Sequence, residues 1–482
     1  MNLSDNIDRL SFFNKIEKEF DVNQIKYKNC HVWPLIRIYV KDLIVSDDSK
    51  EFNMSGLETL KNLFGLYKSL PRLSPAVKKE QAKLDFGDKD VLMLSTPMIR
   101  TFMLDNKYVN RHIDPLFENI TCSKFVIEKE FPSFSKRPTY NDTYSIENSL
   151  NEKVIFHRLM SYILMPKYQI KGIKKFRKYL KDSFGLYLDN YKLLEFLIEV
   201  EAARDVFFDL INKLRVKAIF FDFFYHRSAI GACWAAYDCK IRSIDLQHGN
   251  QINHSVYASW MAINKNGYEF LPSEFWVWNE LDKKNINEWC VKSLVHKPLV
   301  VGNMMLEFYK KNRHLNKEIQ EVTDQFSKTV LLTMADFTSQ QLAALNEKVL
   351  PLIESKKNIL FVFRAHPEFV KDCERYLINQ GIMDLENVCF DDTKFNLFDW
   401  LEEVDLHITF VSSVIFEARL FNVPSIIIDP IGFKRYESII DNKFYYYADT
   451  INELKDALSS EKIDKLENNS ESKFDIKDYF KF

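Results

Sequence analysis

The chain has 482 residues, with 66 Lys and Arg against 68 Asp and Glu and a formal net charge of −2. This length suggests two or three domains, and the near-neutral charge gives no global case for a nucleic-acid-binding protein. Glycine is scarce at 11 residues, and neither GxGxxG nor GxxxxGKS/T occurs, so the two best-known nucleotide motifs are absent. The widely spaced cysteines and an N-terminus without an apolar signal region predict a protein of the reducing cytoplasm.

The N-terminal part of the chain is predicted to be largely helical. Residues 1–85 are polar and end in a proline-punctuated stretch, so we interpret them as a helical N-terminal extension. DVLMLST (90–96) and CSKFVIEKE (122–130) are short apolar runs of the kind that form buried strands. A long helical region, 150–214, follows them and is predicted to be an insertion.

From residue 216 onward, strand and helix patterns alternate. KAIFFDFFY, IRSIDLQHG, EFWVWNE and PLVVGN are predicted strands, and the alternation restarts at TVLLTMA (329–335) and runs to PSIIIDP (424–430). This alternation is typical of parallel sheets with helices on both faces. We therefore predict an α/β protein with two doubly wound, Rossmann-like domains that face a cleft. Their predicted bounds are 86–303 and 304–460, and a charged tail follows at 461–482.

Polar side chains follow two strands of the predicted C-terminal domain. Arg364 and His366 end the strand ILFVFRAHPE. Ser412 and Ser413 lie between a strand and an apolar helix, where an N-cap belongs, and Glu417 lies one turn into that helix. A helix N-terminus with hydroxyl groups suits an anion, so these residues are candidates for phosphate and ribose binding. Ordinary helix capping and a plain strand end are the alternatives.

A second set of candidates ends two strands of the predicted N-terminal domain. Asp222, His226 and Arg227 follow one strand, and Gln247 and His248 follow the next. The carboxyl ends of parallel strands open toward the same edge of a sheet. A histidine with an ordinary pKa of about 6.5 suits proton transfer, so His248 is the first candidate for a base and Asp222 the second. A buried Asp222 also needs a partner, for which Arg227 is the structural alternative.

Two of these segments together resemble a known group of enzymes. FRAHPE, followed about 45 residues later by SSVIFEARLFNVPSIIID, resembles the paired HP and SS motifs of bacterial surface-polysaccharide glycosyltransferases. LQHG and VWNE…PLVVGNMM are similar to further elements of these enzymes, and the likeness covers about 215–430. It implies the GT-B fold and places His366, Ser412 and Ser413 at the donor phosphates. The acidic motif of the polysialyltransferases is not found in its expected context.

The resemblance implies an inverting, metal-independent glycosyltransferase. Its donor would be a nucleotide sugar, such as a CMP-linked sialic-acid-like or Kdo-like sugar, and its acceptor a capsule, O-antigen or lipid-linked glycan. The alternatives are a CDP-glycerol-type glycerophosphotransferase, a nucleotide-sugar epimerase, and a non-catalytic scaffold of a polysaccharide assembly complex. No DxD motif stands in a convincing loop, so we expect neither a metal nor another cofactor, and we expect no nucleic-acid partner.

The segment 156–182 predicts a contact with a membrane surface. It joins the apolar stretch FHRLMSYILM to KYQIKGIKKFRKYLKD, which holds seven basic residues and one acidic residue. A basic amphipathic helix can lie on an anionic membrane. We therefore expect a cytoplasmic protein that contacts the inner face of the membrane peripherally. A solvated basic helix face is the alternative.

Overall fold

The computed structural model describes residues 6–46, 74–84, 87–128, 138–249, 251–252, 254–313, 316–334, 338–366, 369–441 and 443–459. The chain divides into two compact units, of which the first extends to Met305 and the second begins at Leu306. Residues 47–73 of the predicted extension and the predicted tail 461–482 lie outside the described residues. Within the described ranges, no helix combines the length and hydropathy that a membrane crossing requires.

The first unit alternates short strands with helices after a helical start. Its elements in chain order are α1 (Asn6–Glu19), β1 (Lys26–Tyr27), β2 (Cys30–His31), α2 (Trp33–Ser46), α3 (74–83), β3 (Val91–Ser95), β4 (Arg100–Leu104), β5 (Lys107–Asn110), α4 (Ile113–Asn119), β6 (Lys124–Glu128), β7 (Thr143–Tyr144), α5 (Glu147–Ile163), α6 (Ile173–Phe184), α7 (Asn190–Leu214), β8 (Ala218–Phe221), α8 (Arg227–Cys239), β9 (Arg242–Leu246), β10 (Glu274–Val277), α9 (Glu280–Cys290) and β11 (Lys297–Val300).

The main sheet of the first unit has seven strands in the spatial order β11-β10-β9-β8-β3-β6-β7, and all neighbours are parallel. Numbered by appearance in the chain, this is the order 7-6-5-4-1-2-3, the doubly wound arrangement. Successive residues of β3 enter different apolar clusters, with Leu92 and Leu94 on one face and Val91 and Met93 on the other. Both faces of the sheet are therefore buried, which explains the continuous apolar runs of its strands.

Residues 6–46 belong to the core of the first unit. Trp33 is fully buried, and its indole nitrogen donates to Glu17 over 2.7 Å. Arg37, also buried, donates to the same carboxylate over 2.8 Å and to the carbonyls of Ala258 and Ser259 over 2.9 and 3.1 Å. The first two helices are thus joined by hydrogen bonds to a loop more than two hundred residues later in the chain.

The second unit repeats the alternation of strands and helices. Its elements in chain order are α10 (Met304–Asn312), which spans the division, α11 (Lys317–Thr323), β12 (Lys328–Met334), α12 (Ser339–Ala344), a π-helical stretch (Leu345–Val349), α13 (Leu350–Ser355), β13 (Ile359–Ala365), α14 (Val370–Asn379), β14 (Val388–Asp391), α15 (Leu397–Glu403), β15 (Leu406–Thr409), α16 (Val414–Leu420), β16 (Ser425–Ile427), α17 (Pro430–Tyr436), β17 (Tyr445–Tyr447) and α18 (Ile451–Ser459).

The sheet of the second unit has six parallel strands in the order β14-β13-β12-β15-β16-β17. By appearance in the chain this is 3-2-1-4-5-6, the Rossmann order. The central strand β12 is buried from Thr329 to Met334, and Val330, Leu332 and Met334 enter one apolar cluster with alternate residues of β13. The prediction of two α/β domains with parallel sheets is therefore confirmed.

Candidate functional site

The second sheet reverses its strand order between β12 and β15, where the first strand of the unit lies beside the fourth. In doubly wound sheets, ligands bind at the carboxyl ends of the strands beside this reversal. β12 ends at Met334 and β15 at Thr409, and the Thr333 hydroxyl donates to the Thr409 hydroxyl over 3.1 Å. The carboxyl ends of these two strands are therefore the candidate nucleotide site of this unit.

Ser412 and Ser413 lie between β15 and α16, and both are half-buried. The Ser412 amide donates to Thr409 Oγ1 over 3.1 Å, and Ser412 Oγ accepts from the Val414 amide over 3.3 Å. Ser413 occupies the N-cap position, but its hydroxyl makes no capping hydrogen bond. Local capping therefore accounts for the Ser412 hydroxyl and not for that of Ser413. Glu417 is the fourth residue of α16 and is 3% exposed, and its contact with a ribose stays a prediction.

His366 directly follows β13. Its amide donates to the Met334 carbonyl over 2.8 Å, and its side chain is exposed. β13 and β15 flank β12, so their ends lie about 10 Å apart at the usual spacing of strands. His366 and the segment that carries Ser413 thus lie on the two sides of the β12 end.

The Arg364 side chain is paired with a carboxylate of the same unit. It forms an ion pair with Asp391 at the end of β14 and donates to the Phe395 carbonyl over 2.9 Å. Asp391 is 2% exposed and also accepts from the Trp400 indole over 2.9 Å. A buried carboxylate needs such partners. This pairing gives Arg364 a structural role at this strand end, and its contact with a phosphate stays a prediction.

Asp222 lies at the equivalent reversal of the first sheet, directly after β8 and beside the end of β3. Its carboxylate accepts from the Thr96 amide over 2.5 Å, from the Thr96 hydroxyl over 3.0 Å and from the Asn110 side-chain amide over 3.3 Å. Complete burial raises the pKa of Asp222 to about 7, against the effect of these donors. Arg227 instead pairs with Glu199 on the exposed side of α8. The partners of Asp222 are therefore Thr96 and Asn110, and not Arg227, which was the structural alternative considered from the sequence.

His248 follows β9 and has a half-buried side chain. Its Nε2 lies 3.1 Å from the Tyr225 hydroxyl, and Nδ1 makes no hydrogen bond of normal geometry with a described residue. Burial, followed by the positive charge of Arg111, lowers the pKa of His248 to about 4, and the nearby Leu246 backbone opposes this shift. The expectation of an ordinary pKa near 6.5 is therefore wrong, and His248 is neutral near pH 7.

Gln247 and His226 make hydrogen bonds within the first unit. The Gln247 side-chain amide donates to Asp282 over 2.9 Å, and its carbonyl accepts from the Trp278 amide over 2.7 Å. His226 is the N-cap of α8, and its Nδ1 accepts from the Ala229 amide over 3.3 Å. Gln247 thus joins the end of β9 to α9 and to the segment after β10, and His226 caps the start of α8. Both lie at the edge of the sheet where an acceptor site was expected.

Sequence reasoning missed Arg111 and His112, which begin the segment leading into α4. They line a small pocket with Gln247 at the carboxyl ends of β9, β10 and β11. The ring centroids of His112 and His248 lie 6.2 Å apart. Burial, followed by the charges of Arg111 and His248, holds the pKa of His112 well below its usual value. VNRHIDP matches no motif, so the adjacent basic side chains of Arg111 and His112 are the only feature of the sequence that could have indicated a site here.

The predicted site residues fall into two groups, one at the carboxyl edge of each sheet. The first unit holds Asp222, His226, Arg227, Gln247 and His248, and the second holds Arg364, His366, Ser412, Ser413 and Glu417. Across the described ranges, no three or more His, Cys, Asp or Glu side chains are arranged to hold a metal ion.

No protein-family model and no curated protein matches the sequence. Solved structures with a similar architecture include UDP-GlcNAc 2-epimerases. That of Neisseria meningitidis bound to UDP-GlcNAc is 13% identical, with a TM-score of 0.45 over 79% of this chain and 95% of that one. That of Methanocaldococcus jannaschii with UDP-GlcNAc and UDP is 12% identical, with a TM-score of 0.46 over 78% and 94%. MnaA of S. aureus with UDP is 10% identical, with a TM-score of 0.45 over 78% and 89%. None is similar enough to carry an argument about activity.

Proposed function

We propose that the chain is an enzyme that acts on a nucleotide-activated sugar and binds the nucleotide in its second unit. The observation that supports this is the group of polar residues at the reversal of the second sheet, where the exposed His366 and the Ser413 hydroxyl, which makes no capping bond, flank the end of β12. Nucleotides bind at such reversals in Rossmann-like sheets. The resemblance of FRAHPE and SSVIFEARLFN to the HP and SS motifs points to the same residues.

The chemistry requires stabilisation of a leaving phosphate. As the bond between the sugar and the nucleotide breaks, negative charge grows on the phosphate oxygens, and fixed hydrogen-bond donors at those oxygens lower the barrier. The His366 imidazole and the hydroxyls of Ser412 and Ser413 are the proposed donors. Arg364 acts indirectly, because its pairing with Asp391 holds the ends of β13 and β14 together.

The first unit supplies the proposed acid–base groups. His248 is half-buried and neutral near pH 7, so its imidazole can accept a hydrogen bond from a bound hydroxyl, but a pKa of about 4 makes it a weaker base than an ordinary histidine. Asp222 has a pKa of about 7, which suits a general base, but its oxygens are enclosed by the donors of Thr96 and Asn110. We assign His248 to the contact with a hydroxyl group bound at the first unit and Asp222 to the positioning of that strand end.

Two reactions remain as candidates. Transfer of the sugar to a glycan or lipid-linked acceptor is the reaction that the HP and SS resemblance favours. Epimerisation of the sugar is the second candidate, since it needs the same binding of the nucleotide but no acceptor. UDP-N-acetylglucosamine, the ligand of two similar solved structures, is the first sugar nucleotide to test for it.

A thermal-shift screen with UDP, CDP, CMP and GDP tests the nucleotide site, because a ligand of the native state raises its unfolding temperature. We expect one nucleotide to stabilise the wild-type chain, and the double variant Ser413→Ala, His366→Ala to lose most of that shift. Ser355→Ala is the matched control, since Ser355 is an exposed serine of the same unit and precedes β13 at the opposite edge of the sheet. No shift with any nucleotide, or an undiminished shift in the double variant, would contradict the proposal.

Product analysis separates the two reactions. An epimerase converts the sugar nucleotide, followed by NMR, in the absence of any acceptor. A transferase leaves the donor sugar unchanged until an acceptor glycan is added, and then releases the nucleotide. Binding of a nucleotide with neither outcome across CMP-, CDP- and UDP-linked donors would favour the non-catalytic alternative.

A further inference from the structure

The end of helix α5 carries consecutive exposed apolar side chains. Ile163, Leu164 and Met165 are 68%, 37% and 66% exposed, and Phe156, two turns earlier on α5, is 46% exposed. These are four of the twelve large apolar side chains that are exposed within the described residues. Isolated exposed apolar residues are ordinary, whereas a cluster of this kind marks an interaction surface.

Helix α6 (Ile173–Phe184) presents a row of positive charges next along the chain. Its apolar face is anchored in the first core by Ile173, Phe176 and Leu180. The opposite face is exposed and strongly basic, and no ion pair joins its lysines to a described carboxylate. These lysines are Lys174, Lys175, Lys178 and Lys181. Because the buried face fixes the helix, the lysine ammonium groups point outward together.

The apolar turn and the basic helix form one surface. Met165 lines the same open groove as Lys174 and Lys175, so the turn after α5 and the start of α6 are neighbours. We call Phe156, Ile163–Met165 and the exposed lysines of α6 the basic–apolar surface. Lys167 lies between the two parts and is also exposed, which makes the positive charge continuous with the apolar turn.

We propose that the basic–apolar surface docks the protein on an anionic lipid bilayer. The apolar turn Ile163–Met165 enters the headgroup region, and the lysines of α6 contact lipid phosphates. A nucleic acid or an acidic protein would use the lysines but would leave the exposed apolar turn in water, so the combination favours lipid. This inference goes beyond the proposed function and stands on separate residues.

Flotation of the full chain with lipid vesicles tests this docking. We expect binding to vesicles of phosphatidylcholine with 30% phosphatidylglycerol, little binding to phosphatidylcholine alone, and loss of binding in 0.5 M NaCl, because salt screens exposed charges. The variant Ile163→Asp, Met165→Asp should weaken binding more than tenfold, and so should Lys174→Glu, Lys178→Glu. Thermal unfolding should be unchanged in both, since all four side chains are exposed.

Matched controls come from another exposed part of the same unit. Val291 and Leu294 are 68% and 77% exposed, and Lys265 and Lys284 are exposed lysines. The variants Val291→Asp, Leu294→Asp and Lys265→Glu, Lys284→Glu should bind vesicles as the wild type does. The proposal is overturned if wild-type protein does not float with anionic vesicles, or if the surface variants bind vesicles as these controls do. It is also overturned if the protein binds RNA or heparin through α6 but does not bind vesicles.

Discussion

The two sheets share a strand order but differ at the point where that order reverses. In the first unit, Asp222 is fully buried there and receives hydrogen bonds from Thr96 and Asn110. In the second unit, His366 is exposed and the hydroxyl of Ser413 caps no helix. At the same topological position, internal hydrogen bonds enclose the carboxylate of the first unit, whereas the second unit has an exposed imidazole and a hydroxyl that makes no capping bond.

This difference teaches that strand order alone does not locate a binding site. Buried polar groups are nearly always hydrogen-bonded, so a strand end whose donors and acceptors already satisfy one another has little left to offer a ligand. A hydroxyl that makes no capping bond, such as that of Ser413, remains able to bind a ligand. Substitutions at the two reversals should therefore change different quantities, stability in the first unit and activity in the second.

The largest expected effect is on the stability of the first unit. Asp222→Ala removes the acceptor of three hydrogen bonds and leaves buried donors on Thr96 and Asn110 unsatisfied. We expect the free energy of unfolding to fall by about 3–5 kcal/mol, measured by urea denaturation at pH 6. Asp142→Ala, at an exposed aspartate of the same unit, is the control and should change it by less than about 0.5 kcal/mol. A loss below about 1 kcal/mol for Asp222→Ala would remove the contrast between the two reversals.

His366→Ala should act on turnover and leave stability alone. Because the side chain is exposed, its removal opens no cavity, but under the proposed function it takes a donor from the leaving phosphate. We expect kcat to fall by a factor of about 10²–10³ with an unchanged unfolding temperature. Lys371→Ala, at an exposed basic residue of α14, serves as the control. Full activity in His366→Ala would exclude this histidine from the mechanism.

The pH dependence of stability provides a third test through Asp222. Its pKa is about 7 in the folded chain and about 3.9 when unfolded, so the native state binds more protons between these values. The stabilising contribution of the protonated carboxyl is complete below pH 4 and is lost as the pH rises through 7, at up to about 1.4 kcal/mol per pH unit.

The asparagine in the variant Asp222→Asn cannot titrate, so the variant does not lose this stabilising contribution as the pH rises. Its stability relative to the wild type should rise by about 2 kcal/mol between pH 5 and pH 7.5, as measured by urea denaturation at both values. The buried histidines are common to both proteins and cancel in the comparison. A difference that is independent of pH would mean that Asp222 is ionised throughout this range.

The smallest expected effect is on stability at the second reversal. Ser413→Ala should lower the free energy of unfolding by less than about 0.5 kcal/mol, because the hydroxyl makes no capping bond. Asn396→Ala, which removes the capping box of α15, should cost about 1 kcal/mol in the same denaturation measurement. Equal losses in the two variants would show that Ser413 is an ordinary cap.

Local sequence pattern predicts the sheet strands because most are short apolar runs buried on both faces. KAIFFDFFY contains β8, and TVLLTMA contains nearly all of β12. The β4–β5 hairpin is not among the predicted elements, although its turn at Asp105 and Asn106 has the positive φ angles that these residue types tolerate. Its strands mix polar and apolar residues without alternation, so the pattern does not distinguish them from a loop.

The candidate site is predictable only as far as the strand ends. A polar residue after an apolar run reveals a candidate, but its partner depends on which strands become neighbours. Asp222 and Thr96 lie 126 positions apart, and Arg364 and Asp391 lie 27 apart. The low pKa of His248 likewise arises from burial and from Arg111, which precedes it by more than a hundred residues. No local pattern contains these pairings.

The hydrogen bonds of Arg37 have a consequence for the nascent chain. This residue lies in the second helix, yet its partner Ala258 is 221 positions further along. At a synthesis rate of about 5–20 residues per second, that interval lasts on the order of 10–40 s. Throughout it, the buried Arg37 lacks the two carbonyl partners that this loop provides. The first two helices therefore reach their final hydrogen bonding only after more than half of the chain has been synthesised.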